Sequence, residues 1–167
     1  MSKLKTVPDF PEPGILFRDL TPVFADGKVF RATVDAMLEP FAGQYDAIAG
    51  LEARGFILAA AGAMDAGVGV LPVRKAGKLP GEVISQSYSL EYGVATFEVS
   101  PDALPAGSRV LILDDVLATG GTLGAAIKLI EHAGWHVAGI SVALEIEALA
   151  GRAKLPSDVK TFSLVRL

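Results

Sequence analysis

The chain contains no cysteine and only two histidines, His132 and His136, among its 167 residues. The first absence excludes thiol catalysis, disulfide staples and thiolate metal sites, and the second leaves too few imidazoles for a histidine-built metal cage. Basic residues are outnumbered, with 15 Lys and Arg against 19 Asp and Glu and a net charge of −4. An acidic chain without a basic tail suits neither nucleic acid nor an anionic membrane surface, so neither is expected as a partner. Long apolar runs are also missing. The longest, 55–64, stops at Asp65, well short of the ~20 residues of a membrane span. Residues 1–5, MSKLK, lack the apolar centre of a secretory signal. These absences lead to the expectation of a cytoplasmic protein.

What is present is a composition that folds. At 51% apolar and 20% charged, the chain is neither disordered nor fibrous. Its length is that of one domain, 1–167, burying roughly 70% of the surface of its unfolded chain. Strand-like and helix-like stretches alternate. Residues 47–51, 68–73, 109–113 and 137–144 are apolar runs rich in branched side chains, while 56–66 and 123–133 have helical spacing, the latter closed by Gly134. Continuous apolar strands separated by helices predict an α/β fold with a mostly parallel sheet covered on both faces. Between 75 and 99 the pattern changes to alternating residues with Gly77, Pro80, Gly81 and Gly93, which predicts an antiparallel hairpin carrying a long, flexible lid loop. The first 20 residues, punctuated by Pro8, Pro11 and Pro13, read as extended chain.

The most informative stretch is 113–122, LDDVLATGGT: the end of a buried strand, an acidic pair, then a Thr/Gly-rich turn opening a helix. In open α/β sheets ligands bind beyond the carboxyl ends of the strands. Backbone amides and hydroxyls of Ala118, Thr119, Gly120, Gly121 and Thr122 at a helix N-terminus would cradle a phosphate. Two common phosphate motifs do not fit. Gly121 stands where a P-loop has its lysine, and the register of a dinucleotide fingerprint begins at Thr119 instead of glycine. Carboxylates beside a phosphate site need hydroxyls or a cation, so Asp114 and Asp115 suit a ribose diol, or magnesium bound through water. A sugar phosphate satisfies both halves of the motif.

This run resembles the signature of the type I phosphoribosyltransferases, which use 5-phosphoribosyl 1-pyrophosphate. Three further segments, FPEPGILFRD at 10–19, GLEARGF at 50–56 and RKAGKLP at 74–80 continuing to YSLEY at 88–92, are similar to the members of that family that act on adenine. The resemblance implies transfer of the 5-phosphoribosyl group to N9 of adenine, giving AMP and pyrophosphate in purine salvage. It also implies Mg2+ held mainly through substrate and water with no direct protein ligand, a homodimer, and a small N-terminal hood (1–30) over the base with a lid at 75–99.

The same resemblance assigns pyrophosphate to the turn Glu52, Ala53 and Arg54. Some relatives carry Asp and Ser at the first two positions. Physically, amides and a guanidinium at a strand end can hold such a group. Arg74, Lys75 and Lys78 place three cations within five residues of an acidic chain, which is either a solvated face or charge set against a polyphosphate. Phe17 can stack on a flat base or pack in the core, while the backbone of Leu16 and Arg18 can read the base edge; Asp19 either holds Arg18 or caps the next helix. Glu91 is the acid/base group by resemblance and a solvent-facing carboxylate otherwise, and Tyr92 belongs to the lid or the core. Asp114 and Asp115 complete the expected catalytic set. His132, Trp135 and His136 are expected to be structural. A phosphoribosyltransferase for another base, or a regulator that only senses a ribose phosphate, are the competing readings.

Overall fold

The computed structural model describes residues 3–10, 12–14, 16–89 and 93–167. The chain opens with β1 (Lys5–Pro8) and β2 (Leu16–Asp19), a two-stranded antiparallel sheet with Thr6 opposite Arg18 and Val7 opposite Phe17. Two helices follow, α1 (Thr21–Phe24) and α2 (Gly27–Leu38), and then β3 (Ala47–Leu51), α3 (Gly55–Ala66) and β4 (Gly69–Lys75). A hairpin of β5 (Ile84–Ser89) and β6 (Val94–Val99) leads into β7 (Arg109–Leu117), α4 (Gly121–His132), β8 (His136–Glu145) and β9 (Thr161–Arg166).

Seven strands form one sheet in the order β5-β6-β4-β3-β7-β8-β9. The five from β4 to β9 are parallel, and the hairpin extends the sheet antiparallel through Arg74 opposite Glu98. The expected mixed architecture is therefore what forms, with β9 as a parallel strand that the sequence reading did not place. β7 shows why its apolar run is continuous. Val110 and Ile112 pack on the α4 side, Leu111 and Leu113 on the α2/α3 side, and all four are fully buried. Burial of this kind contributes ~2 kcal/mol per side chain.

The helices start and stop for local reasons. Asp26 caps α2 by accepting from the backbone N–H groups of Lys28 and Val29 at 3.1 and 3.2 Å. α3 ends at Gly67 in the left-handed conformation. Asp19 accepts from Thr21 N, the first amide of α1, at 2.9 Å, although Leu20 holds the N-cap position and has no side-chain cap.

β7 runs further than the sequence suggested. The strand continues through Asp114 and Asp115 to Leu117, because β8 is long enough to pair with it there, Asp114 opposite Val142 and Leu117 opposite Glu145. The acidic pair thus sits on rigid strand instead of on the turn after it. His132 and His136 are exposed at the far end of α4, and Trp135 is buried with its indole N–H donating to Leu104 O. No helix among the described residues is long and apolar enough to cross a membrane.

Candidate active site

The carboxyl ends of β3, β7 and β8 meet at one edge of the sheet, and the β1–β2 hairpin folds over them. Between them lies a cavity of about 450 Å³ lined by Leu16, Phe17, Arg18, Glu52, Ala53, Arg54, Asp114, Asp115, Val116, Ala118, Thr122 and Ile146. Ten of these twelve are residues that the sequence had singled out from three separate segments, while the basic segment 74–80 contributes none. Val116 and Ile146 were missed. Ile146 directly follows β8, so the rule that ligands gather at strand ends would have found it.

The Arg54 turn is pressed into place by two glycines. A Cβ on Gly50 would lie 2.7 Å from Gly55 O, and one on Gly55 would lie 2.9 Å from Asp114 Oδ1. Any larger residue at 55 would push the turn away from the carboxylate. Arg54 Nε lies 2.5 Å from Asp115 Oδ2, and its guanidinium stands 5.3 Å from the centre of the Phe17 ring. Phe17 in turn takes the edge of Phe10 at 5.1 Å. Arg54 therefore joins the ring expected to stack on the base to the carboxylate expected to meet the ribose. The Arg18 side chain donates to Thr6 Oγ1 at 2.5 Å, which ties it to β1.

The two aspartates are both buried. Burial pushes the Asp114 carboxyl well above the usual range, and the neighbouring Asp115 charge pushes it further. Burial also raises Asp115, with Arg54 opposing the shift. Despite the ion pair, Asp115 Oδ2 has no hydrogen-bond donor among the described residues. An orphaned oxygen of this kind is what a hydroxyl or a hydrated cation would complete.

Glu52 is oriented differently from the arginine beside it. It accepts from the backbone N–H of Lys75 at 2.8 Å and from Arg74 Nε at 3.1 Å, and that backbone bond, then Arg74, holds its carboxyl below the usual range. Its carboxylate thus anchors the end of β4 and aims Arg74, which also lies over Phe56 at 5.7 Å. Lys75 and Lys78 are exposed and stand outside the cavity lining.

The Thr/Gly turn forms the predicted helix entrance. Gly120 is left-handed, with φ 81, and α4 begins at Gly121, so the amides after Ala118 are left unused by the helix. Thr119 is exposed, while Gly120 and Gly121 border an adjoining cleft with Gln86, Ser87 and Tyr88 of β5. Glu91 and Tyr92 lie outside the described residues. No group of three acidic or histidine side chains among the described residues converges on a metal position. A cleft of about 490 Å³ between α2 and α3 contains Arg31, Asp35 and Asp65, but these are engaged with one another.

Known proteins share this sequence and this fold. The phosphoribosyl transferase domain family matches residues 28–164. An adenine phosphoribosyltransferase of Arthrobacter sp. is 63% identical over 162 residues, covering 97% of this chain and 87% of the relative. The crystal structure of an adenine phosphoribosyltransferase from Rhodothermus marinus superposes with a TM-score of 0.93 at 46% identity, covering 99% of this chain and 95% of the other. The enzyme of that name from Saccharomyces cerevisiae, in complex with an imino-altritol bisphosphate and adenine, gives 0.92 at 41% identity, covering 98% and 95%. The fold, the turn at 118–122 and these likenesses lead to one conclusion: the chain belongs to the phosphoribosyl transferase family, in its adenine phosphoribosyltransferase branch.

Proposed function

We propose that the cavity beneath the β1–β2 hairpin is where this chain transfers the 5-phosphoribosyl group of 5-phosphoribosyl 1-pyrophosphate to N9 of adenine, releasing pyrophosphate and forming AMP. The observation that carries this assignment is the convergence of the Phe17 hairpin, the Arg54 turn and the Asp114–Thr122 segment on one cavity. Each supplies what one part of the substrates needs. Phe17 offers a face for the purine, with the backbone of Leu16 and Arg18 as donor and acceptor for its edge. Ala118 to Thr122 hold the 5′-phosphate, and Asp114 and Asp115 take the ribose hydroxyls.

During the reaction the bond from C1 to the pyrophosphate oxygen breaks, the N9–C1 bond forms and the purine gives up its N9 proton. Positive charge grows on the ribose carbon as pyrophosphate departs. The carboxylates of Asp114 and Asp115 stabilise that charge, while Ala53 and Arg54, together with Arg74, Lys75 and Lys78, stabilise the leaving group. Glu52 contributes by aiming Arg74. Glu91 is assigned the movement of the purine proton and Tyr92 the covering of the site. Mg2+ fits the donors present, two carboxylates of which one has an oxygen without a donor. Asp114 and Asp115 would hold it through water, and when bound it neutralises pyrophosphate charge. The rate gain comes from positioning and electrostatics, with no covalent enzyme intermediate. We assign the protein to the cytoplasm as a homodimer.

The deciding experiment supplies Mg2+ and the phosphoribosyl donor with adenine, hypoxanthine, guanine or uracil separately. AMP from adenine alone is the expected result. Product from another base would move specificity away from the Phe17 hairpin. Donor binding without any product would favour a ligand-sensing regulator.

A further inference from the structure

Next to the Thr/Gly turn, the chain from Glu147 to Leu155 makes two short 3-10 turns, and one of them is pressed against the turn's backbone. A Cβ on Gly151 would collide with Ala118 O and would come within 2.7 Å of Gly120 N, and a Cβ on Gly120 would collide in turn with Gly151 O. The two backbones are therefore in direct contact at two glycines. Ala150, just before, is left-handed at φ 49, a conformation that costs a non-glycine residue energy and persists only where neighbouring contacts enforce it.

Two residues further on, Arg152 anchors this segment to the sheet. Arg152 donates through Nε to Glu145 Oε1 at 2.9 Å, through Nη2 to Glu145 Oε2 at 2.6 Å and Ser163 Oγ at 2.8 Å, and through Nη1 to Thr161 O at 2.7 Å. Ser163 also donates to Glu145 Oε2 at 2.6 Å. Glu145 is 5% exposed. The fork of Arg152 is thus clasped to the ends of β8 and β9, which are rigid sheet. Glu145 itself lies opposite Leu117, one residue before the turn begins, and Ile146 N donates to Leu117 O at 2.9 Å.

We infer that Arg152, clasped by Glu145 and Ser163, is a positioning residue for the 5′-phosphate: through Gly151 it fixes the shape of the Ala118–Thr122 cradle without touching substrate. Apart from the Thr119 and Thr122 hydroxyls, the cradle is made of backbone amides, which cannot adjust as side chains do, so its affinity depends on what packs against it. The inference rests on the reading of that turn as the phosphate site.

The test uses the full chain and two probes, ribose 5-phosphate for the cradle and pyrophosphate for the neighbouring Arg54 turn, each titrated by calorimetry. Arg152→Met is expected to weaken ribose 5-phosphate about tenfold while pyrophosphate stays within about twofold. Arg152→Lys should recover part of that loss, and Ser163→Ala should show a smaller loss of the same selectivity. Equal weakening of both probes, or unchanged ribose 5-phosphate binding, overturns the inference. Should Arg152→Met not fold, the selectivity of Ser163→Ala decides by the same criterion. Thr122→Ala separates the two levels. If it leaves ribose 5-phosphate binding intact, the cradle reading falls and this inference with it. If it weakens binding while the Arg152 and Ser163 variants bind normally, only this inference fails.

Discussion

Two buried acidic sites stand side by side at the same edge of the sheet, at the ends of β7 and β8, and chemically they are opposites. Asp114, Asp115 and Glu145 are 8%, 6% and 5% exposed, so burial alone does not distinguish them. Glu145 is surrounded by Arg152, Ser163 and Arg166, and the Arg152 hydrogen bonds hold its carboxyl below the usual range. Around the aspartates Arg54 is the one guanidinium that lowers them, helped by backbone N–H groups of Asp115 and Val116, and burial still lifts both. A buried carboxylate with its donors in place is part of the scaffold. One without them is held ready for a ligand that brings donors, and its cost is carried by the empty fold.

The largest expected effect tests the functional half of this contrast. Asp115→Asn keeps the shape but removes the charge, and kcat/KM should fall by about 10²- to 10³-fold while the melting temperature holds or rises. A steady-state assay beside a thermal melt checks this, and a large loss of stability with normal activity would place Asp115 with the scaffold instead.

Glu145→Gln tests the other half. Breaking a buried, hydrogen-bonded pair usually costs 3–5 kcal/mol, but Arg152 and Arg166 side chains are 34% and 53% exposed, so about 2 kcal/mol is expected. For a domain of this size that lowers the melting temperature by about 5 °C. An unchanged melt would mean that Glu145 braces nothing.

Next in size is an opposite response to pH, followed by thermal melts from acid to pH 8. Because the Asp114 pKa is raised on folding, the native state holds that proton more tightly than the unfolded chain. The associated stability is present below about pH 4 and is lost as pH climbs towards the raised value. Asp114→Asn should therefore melt above the parent at pH 8, with the gap closing in acid. Glu145 runs the other way: its lowered pKa gives stability that is present above about pH 4.5 and lost as pH falls through the folded value. If both variants moved in the same direction with pH, the contrast would fail.

The smallest effect belongs to a fourth carboxylate at the opposite edge of the sheet. Asp46 forms a two-pronged pair with Arg109 at 3.0 and 2.6 Å, which holds its pKa down to about 2. Both side chains are half exposed to solvent, where such pairs contribute little. Asp46→Asn should shift the melt by no more than its experimental error and leave activity untouched. A loss of activity would show that charge at the far edge reaches the site.

The sequence alone determined the order of strands and helices along most of the chain, because each buried strand is an uninterrupted apolar run and each helix carries its own spacing and end signals. It also located the turn proposed to hold the 5′-phosphate, since LDDVLATGGT combines a strand end, two acids and a helix entrance within ten residues. These are local facts, written in consecutive residues. Only the tertiary structure decided that the aspartates sit on strand, because their pairing partners lie in β8, nearly 30 positions further along. It also decided that Asp19 turns to the first amide of α1, that Glu52 turns to β4, and that Arg54 lies between Phe17 and Asp115. The clasp of Arg152 was invisible for the same reason: Glu145, Gly151 and Ser163 share no motif, and their joint hold on the Thr/Gly turn exists only once β8 and β9 are side by side.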